Sequence, residues 1–167
     1  MDVQQELTKY ISKALSSDLP QKTEFKTRFH LLDTIVSILT GRLLPPGKKA
    51  FQFSKAQGGV KESTLLGSDV KVSAINAGFS NGMAAHANET DDSTTEGRFH
   101  PGCAIVPATL AVAEREKLGS KEVIKAIALG YDIGVRITTS LGYKTPKTSI
   151  FATHSIGPIF GCAASAG

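Results

Sequence analysis

Asn81–Gly102 reads NGMAAHANETDDSTTEGRFHPG, and the reading of the whole chain turns on it. Two of the four histidines, His86 and His100, fall here with Glu89, Asp91, Asp92, Glu96 and the hydroxyls of Ser93, Thr94 and Thr95. Small apolar residues precede the stretch and an apolar helical run follows it. Titratable groups crowded between two segments built for burial mark a candidate site, because desolvation and like-charge crowding push their pKa values apart.

Working outward, the N-terminal neighbour SAINAGFSNGMAAHA reads as a helix capped by Ser73. Its Ala and Gly content implies close backbone approach by other helices, since Gly weakens a helix on its own. Before it, Glu62–Val72 allows either two short extended pieces about Gly67-Ser68-Asp69 or a loop. Pro45-Pro46-Gly47 reads as a rigid turn, followed by a helical piece over Lys48–Gln57. A long helix is expected over Lys22–Leu39, with Phe25, Phe29, Leu32, Val36 and Leu39 as its apolar stripe and Gly41 as a left-handed stop. Asp2 caps a first helix with Val3, Leu7, Ile11 and Leu15 on one face, ended by Asp18-Leu19-Pro20. His30 and Asp33 on the second helix read as structural.

On the other side, Ala104–Leu118 is expected to be a helix ending at Gly119, and Ser120 caps another over Lys121–Leu141. Pro146 interrupts. Ala152–Gly167 is small, apolar and helical in pattern, and reads as a core helix covered by more protein. The elements together predict an all-α, bundle-like unit with no repeat or interdomain linker.

Composition excludes several function classes. The apolar fraction is 41% and the net charge +4, with Lys48-Lys49 as the sole adjacent basic pair and no aromatic interleaving, so no nucleic-acid partner is expected. No uncharged run reaches the length of a membrane span, and the N-terminus lacks the basic and apolar regions of a signal peptide. No membrane partner and a cytoplasmic location are therefore expected. Cys103 and Cys162 stand far apart without a CxxC pair and read as buried, reduced thiols.

Histidines with several carboxylates suit two kinds of site. One is metal-free proton transfer on a carboxylate substrate, with His154 as a further donor or base. The other is a metal centre using His86, His100 and nearby carboxylates, although no HExxH, EF-hand or ExxH spacing is present. A polar surface loop without chemistry is the third reading. Helical spacing would set His86 and Glu89 on one face, and the helix after His100-Pro101-Gly102 offers an N-terminus that favours an anion.

Phe79–His86, Asp91-Asp92-Ser93, His100-Pro101-Gly102 and Pro107–Ala111 together resemble the MmgE/PrpD superfamily. LLDTIVSILTGR at 31–42, Gly130-Tyr131-Asp132 with Arg136, and Thr153-His154-Ser155 with Gly157 and Gly161 extend the match over nearly all the chain after its first twenty residues. The superfamily contains 2-methylcitrate dehydratase, cis-aconitate decarboxylase and iminodisuccinate epimerase. The resemblance implies that residues 1–167 are the N-terminal part of a larger helical domain, with an α/β lid domain and a lysine outside this chain, and that this chain alone is inactive. It implies a metal-independent lyase, with no cofactor, acting on a small di- or tricarboxylate by proton abstraction and elimination, as in 2-methylcitrate dehydratase. Decarboxylation, epimerisation and a non-catalytic helical subunit are the alternatives. His100, His154 and Asp91 would be catalytic, and His86, Glu89, Asp92 and Ser93 would bind substrate. Partners would be the polycarboxylate and either a second copy in a homo-oligomer or a complementary C-terminal chain. Glu89-Thr90 stands where the family carries aspartate and an aromatic, and the Ser93–His100 segment is about one residue longer than in the decarboxylases.

Overall fold

The computed structural model describes residues 2–142 and 152–167; the expected break at Pro146 lies outside them. Seven helices appear among the described residues: α1 (Val3–Ser16), α2 (Gln21–Gly41), α3 (Pro45–Gln57), α4 (Ala74–Ala85), α5 (Gly102–Glu116), α6 (Ser120–Ser140) and α7 (Thr153–Ala166). A hairpin of two short strands, β1 (Ser63–Thr64) and β2 (Lys71–Val72), joins α3 to α4, with Ser63 paired to Val72 and Thr64 to Lys71. The fold is all-α, and no described helix is long and apolar enough to cross a membrane.

Side-chain caps close the starts of α1 and α4. The Asp2 carboxylate accepts from the Gln4 N–H, and the Ser73 hydroxyl from the Asn76 N–H, each satisfying one free donor of a first turn. Four boundaries differ from expectation. Helix α3 begins at Pro45 rather than after Gly47, because proline fits the first turn, where no N–H partner is needed. Gly41 is helical and buried rather than a left-handed stop; an added Cβ would collide with the Ala84 carbonyl of α4. Helix α5 stops at Lys117, itself left-handed at φ 57, with Leu118 N–H reaching back to the Ala113 carbonyl, so Gly119 is not the cap. Ser120 is the first residue of α6, and its N-cap Gly119 has no side-chain cap.

Close packing of small residues organises the core. Helix α4 lies against α2, α3 and α5, with Ala74, Ala77, Ser80, Asn81, Ala84 and Ala85 buried. An added Cβ at Gly82 would sit 3.0 Å from the Cys103 carbonyl of α5. Asn81 pins the hairpin to this layer, donating to the Thr64 carbonyl and accepting from the Leu66 N–H, each at 3.0 Å. Helices α6 and α7 meet through paired glycines: a Cβ on Gly130 would lie 2.9 Å from the Gly161 carbonyl, and one on Gly134 would lie 3.0 Å from that of Gly157.

The expected stripe of α2 is not in the core. Phe25, Phe29, Leu32, Val36 and Leu39 are exposed, Phe25 at 62%, while Thr27, Thr34, Ser37, Ile38 and Gly41 are buried. Small residues permit the close approach to α4 that a phenylalanine face would block. Likewise α1 buries no residue; it is held by Tyr10, whose hydroxyl donates to Asp132 of α6 at 2.6 Å. On α7, Ile159 and Phe160 are exposed although the sequence reads as a covered helix.

A Gly161→Ala substitution forces a methyl against the Gly130 carbonyl and Ile105, each 2.8 Å away. Overpacking of this kind is expected to cost about 1–3 kcal/mol, read as a lower urea midpoint at unchanged m-value.

Candidate active site

Helix α4 ends at Ala85, so His86 is its C-cap rather than an interior residue. The chain then turns through Glu89 at φ 56 and Arg98 at φ 52 and re-enters helical geometry at Gly102. Phe99 fixes this loop. Its ring is 2% exposed and sits in a socket whose walls include Gly97, Gly134 and Gly157; a Cβ on Gly157 would be 2.8 Å from the ring. Burying such a ring contributes about 2–3 kcal/mol. The Thr153 hydroxyl donates to the Arg98 carbonyl, and Thr94 and Phe99 form a single antiparallel bridge. The loop is thereby tied to the start of α7, which carries His154 next in sequence.

Three imidazoles consequently meet. The rings of His86 and His100 are 5.1 Å apart, and those of His100 and His154 stack at 5.8 Å with planes 23° apart. Asp91, its side chain fully buried, joins the first two: His86 Nδ1 lies 3.1 Å from Oδ2 and 3.2 Å from Oδ1, and His100 Nδ1 lies 3.5 Å from Oδ2. The His100 contact is within ion-pair distance but lacks hydrogen-bond direction, leaving Nδ1 buried without a hydrogen-bond partner. Glu89 stands at the rim, its carboxylate 3.5 Å from His86 Nε2. Cys103, the second residue of α5, donates its thiol to the His100 carbonyl at 3.2 Å. Burial, reinforced by Asp91, pushes that thiol well above its ordinary pKa, so it is protonated at neutral pH.

Asp92 faces the other way. Its Oδ1 accepts from the Gly102 N–H at 2.8 Å, and its Oδ2 accepts from Tyr131 Oη at 2.8 Å and lies 2.7 Å from His30 Nδ1. It thus caps α5, whose own N-cap, Pro101, has no side chain to do so. Burial pushes the Asp92 carboxyl up, but hydrogen bonds from His30, Tyr131 and Gly102 outweigh it and hold the group below the usual range. The hydrogen bond to Asp92 holds the His30 imidazole above its ordinary value against partial burial. Burial and Asp92 push the Tyr131 phenol up, which keeps it a donor. A cavity of about 500 Å³ lined by Lys22, Lys26, His30 and Tyr131 opens on this side, away from His86, His100 and His154.

Of the residues singled out from sequence, His86, Asp91, His100 and His154 come together, Glu89 borders them, and Ser93 is exposed on the loop. The structure adds His30, Tyr131 and Cys103. His30 has Asp92, not only Asp33, as its carboxylate neighbour; 62 residues separate the pair, so helical spacing could not reveal it.

The N-terminal domain of the MmgE/PrpD family matches residues 5–167. The chain belongs to the MmgE/PrpD family. It is 25% identical over 172 residues to a cis-aconitate decarboxylase-like protein of Aspergillus oryzae, covering 99% of this chain and 35% of the relative. The chain therefore spans about a third of the length of that curated relative.

The His30–Asp92 pair makes stability pH-dependent in a stated direction. The raised His30 contribution is full below about pH 6.5 and is lost as pH rises through its folded pKa. The lowered Asp92 contribution is full above about pH 4 and is lost as pH falls through its folded pKa. The pair therefore stabilises most between these limits. Urea midpoints of a His30→Asn variant are expected to lose the part of the wild-type alkaline decline that comes from this pair; identical profiles would show that the pair does not form.

Proposed function

We propose that this chain carries the proton-transfer residues of a metal-independent lyase acting on a small di- or tricarboxylate. The observation that carries the reading is the meeting of three imidazoles, with His86 and His100 on buried Asp91 and His154 stacked on His100, on a scaffold of the MmgE/PrpD family. An imidazole beside a carboxylate substrate suits removal of a proton from the carbon next to the carboxylate and its later return. His100 and His154, stacked and offset, stand where one substrate could contact both. Asp91 holds His86 by accepting from Nδ1 in one tautomer, and the two carboxylate oxygens at 3.1 and 3.2 Å orient the ring. Glu89 borders the site, and Asp92 acts as a positioning residue through Gly102 and α5.

Elimination of water, as from 2-methylcitrate, is the reaction we favour; decarboxylation is the alternative within the family, and the named Aspergillus relative supports it. The site is open, with His86 and His154 both exposed. That openness supports an active site completed by a second domain that brings further cationic groups and excludes water. It equally favours a second reading, a non-catalytic helical subunit.

Assays with 2-methylcitrate, citrate and cis-aconitate are expected to show turnover only when the chain is joined to its α/β domain. There, His100→Ala and His154→Ala are each expected to lower kcat by about 10²–10⁴-fold with the circular dichroism spectrum unchanged. Full activity in the His100→Ala protein would overturn the assignment, and no turnover by the joined wild type would favour the non-catalytic reading.

A further inference from the structure

His86, Asp91 and Cys103 place an imidazole nitrogen, a carboxylate oxygen and a thiol sulfur all within 4.8 Å of one another. We propose that these three side chains form a zinc-binding site. The ion is not part of the lyase chemistry; it competes with that chemistry for the same side chains.

The donor set selects the ion. Magnesium and calcium prefer all-oxygen shells, whereas an imidazole, a thiolate and one carboxylate suit a borderline-soft divalent cation such as Zn²⁺. A tetrahedral zinc with bonds of about 2.0–2.3 Å holds its ligand atoms about 3.3–3.8 Å apart. His86 Nδ1 and Asp91 are already 3.1–3.2 Å apart, so the nitrogen–oxygen edge needs little change. The thiol lies on the first turn of α5 and the carboxylate on the loop that this helix anchors, so both are held by the fold before an ion arrives. Exposed His86 gives an entry path to the buried Asp91.

A second observation lies at the edge of the trio. His100 Nδ1, 3.5 Å from the same Asp91 carboxylate, is buried with no hydrogen-bond partner. Such atoms are rare in folded proteins. Three protein ligands leave the fourth zinc position to water, the pattern of an open site. The Cys103 proton leaves to solvent as the sulfur binds, one proton per ion, so the apparent affinity rises with pH. Burial disfavours the free thiolate here, and the charge of the metal offsets that penalty.

The test is direct binding. Equilibrium dialysis of the chain against Zn²⁺ is expected to show one ion per chain. Co²⁺ in its place is expected to give a sulfur-to-cobalt charge-transfer band in the near ultraviolet. Cys103→Ser should abolish that band, Cys162→Ser should keep it, and His86→Ala should weaken zinc binding at least about tenfold. X-ray absorption on the zinc-loaded wild type, which needs no variant to fold, is expected to show one sulfur at about 2.3 Å. Absence of retained zinc, a shell without sulfur, or a band that survives Cys103→Ser would overturn the site. The inhibitory consequence rests on the proton-transfer reading: in the active joined protein, zinc at one equivalent should suppress turnover. Zinc bound through Cys103 without inhibition would count against the proton-transfer role of this cluster and against competition, while the binding data stand apart.

Discussion

The Phe99 ring, seated against Gly97, Gly134 and Gly157, ties an irregular loop to the crossing of α6 and α7. Three otherwise separate facts depend on it. The helices can approach only where glycines leave room, the ring fills that room, and the residue after the ring is His100. The Thr153 hydroxyl, fastened to the Arg98 carbonyl on the same turn, couples the position of His154 to that of the ring and His100. The socket thus converts hydrophobic burial, which has no direction of its own, into the relative placement of two imidazoles.

Adjacent aspartates divide the labour of the loop. Asp91 turns inward to His86 and His100, and Asp92 turns toward His30, Tyr131 and the first N–H of α5. The second set holds the helix on which the site rests, and the first set carries the candidate chemistry. An added Cβ at Gly102 would lie 2.6 Å from Asp92 Oδ1, 2.5 Å from Thr34 Oγ1 and 2.9 Å from Tyr131 Oη, so the cap demands glycine there. The HPG sequence therefore serves capping as well as presenting His100.

The exposed apolar face of α2 shows how the packing rule differs from the pattern rule. Phe25, Phe29, Leu32, Val36 and Leu39 recur at helical spacing, and periodicity assigns them to the core. The core instead takes Thr27, Thr34, Ser37, Ile38 and Gly41, because α4 presents a buried face of Ala, Ser and Asn that lets α2 approach closely. Periodicity reports that a face is apolar; it does not report which of two faces meets this chain's own helices.

From sequence alone, the helical class, nearly every helix, the Asp2 and Ser73 caps, and the concentration of titratable groups in 81–102 were legible, because each is a local property of spacing or residue type. Helix ends were misread at Gly41, where a contact distant in sequence decides, at Lys117, a tolerated left-handed lysine, and at Pro45, where a first-turn proline was taken for a turn. The meeting of His100 with His154, the partnership of His30 with Asp92, and the inclusion of Cys103 were decided only by the fold. The two pairs are separated by whole helices, and their distances are set by how closely glycine and alanine surfaces allow those helices to approach; Cys103 joins His86 and Asp91 by the path of the α4–α5 loop.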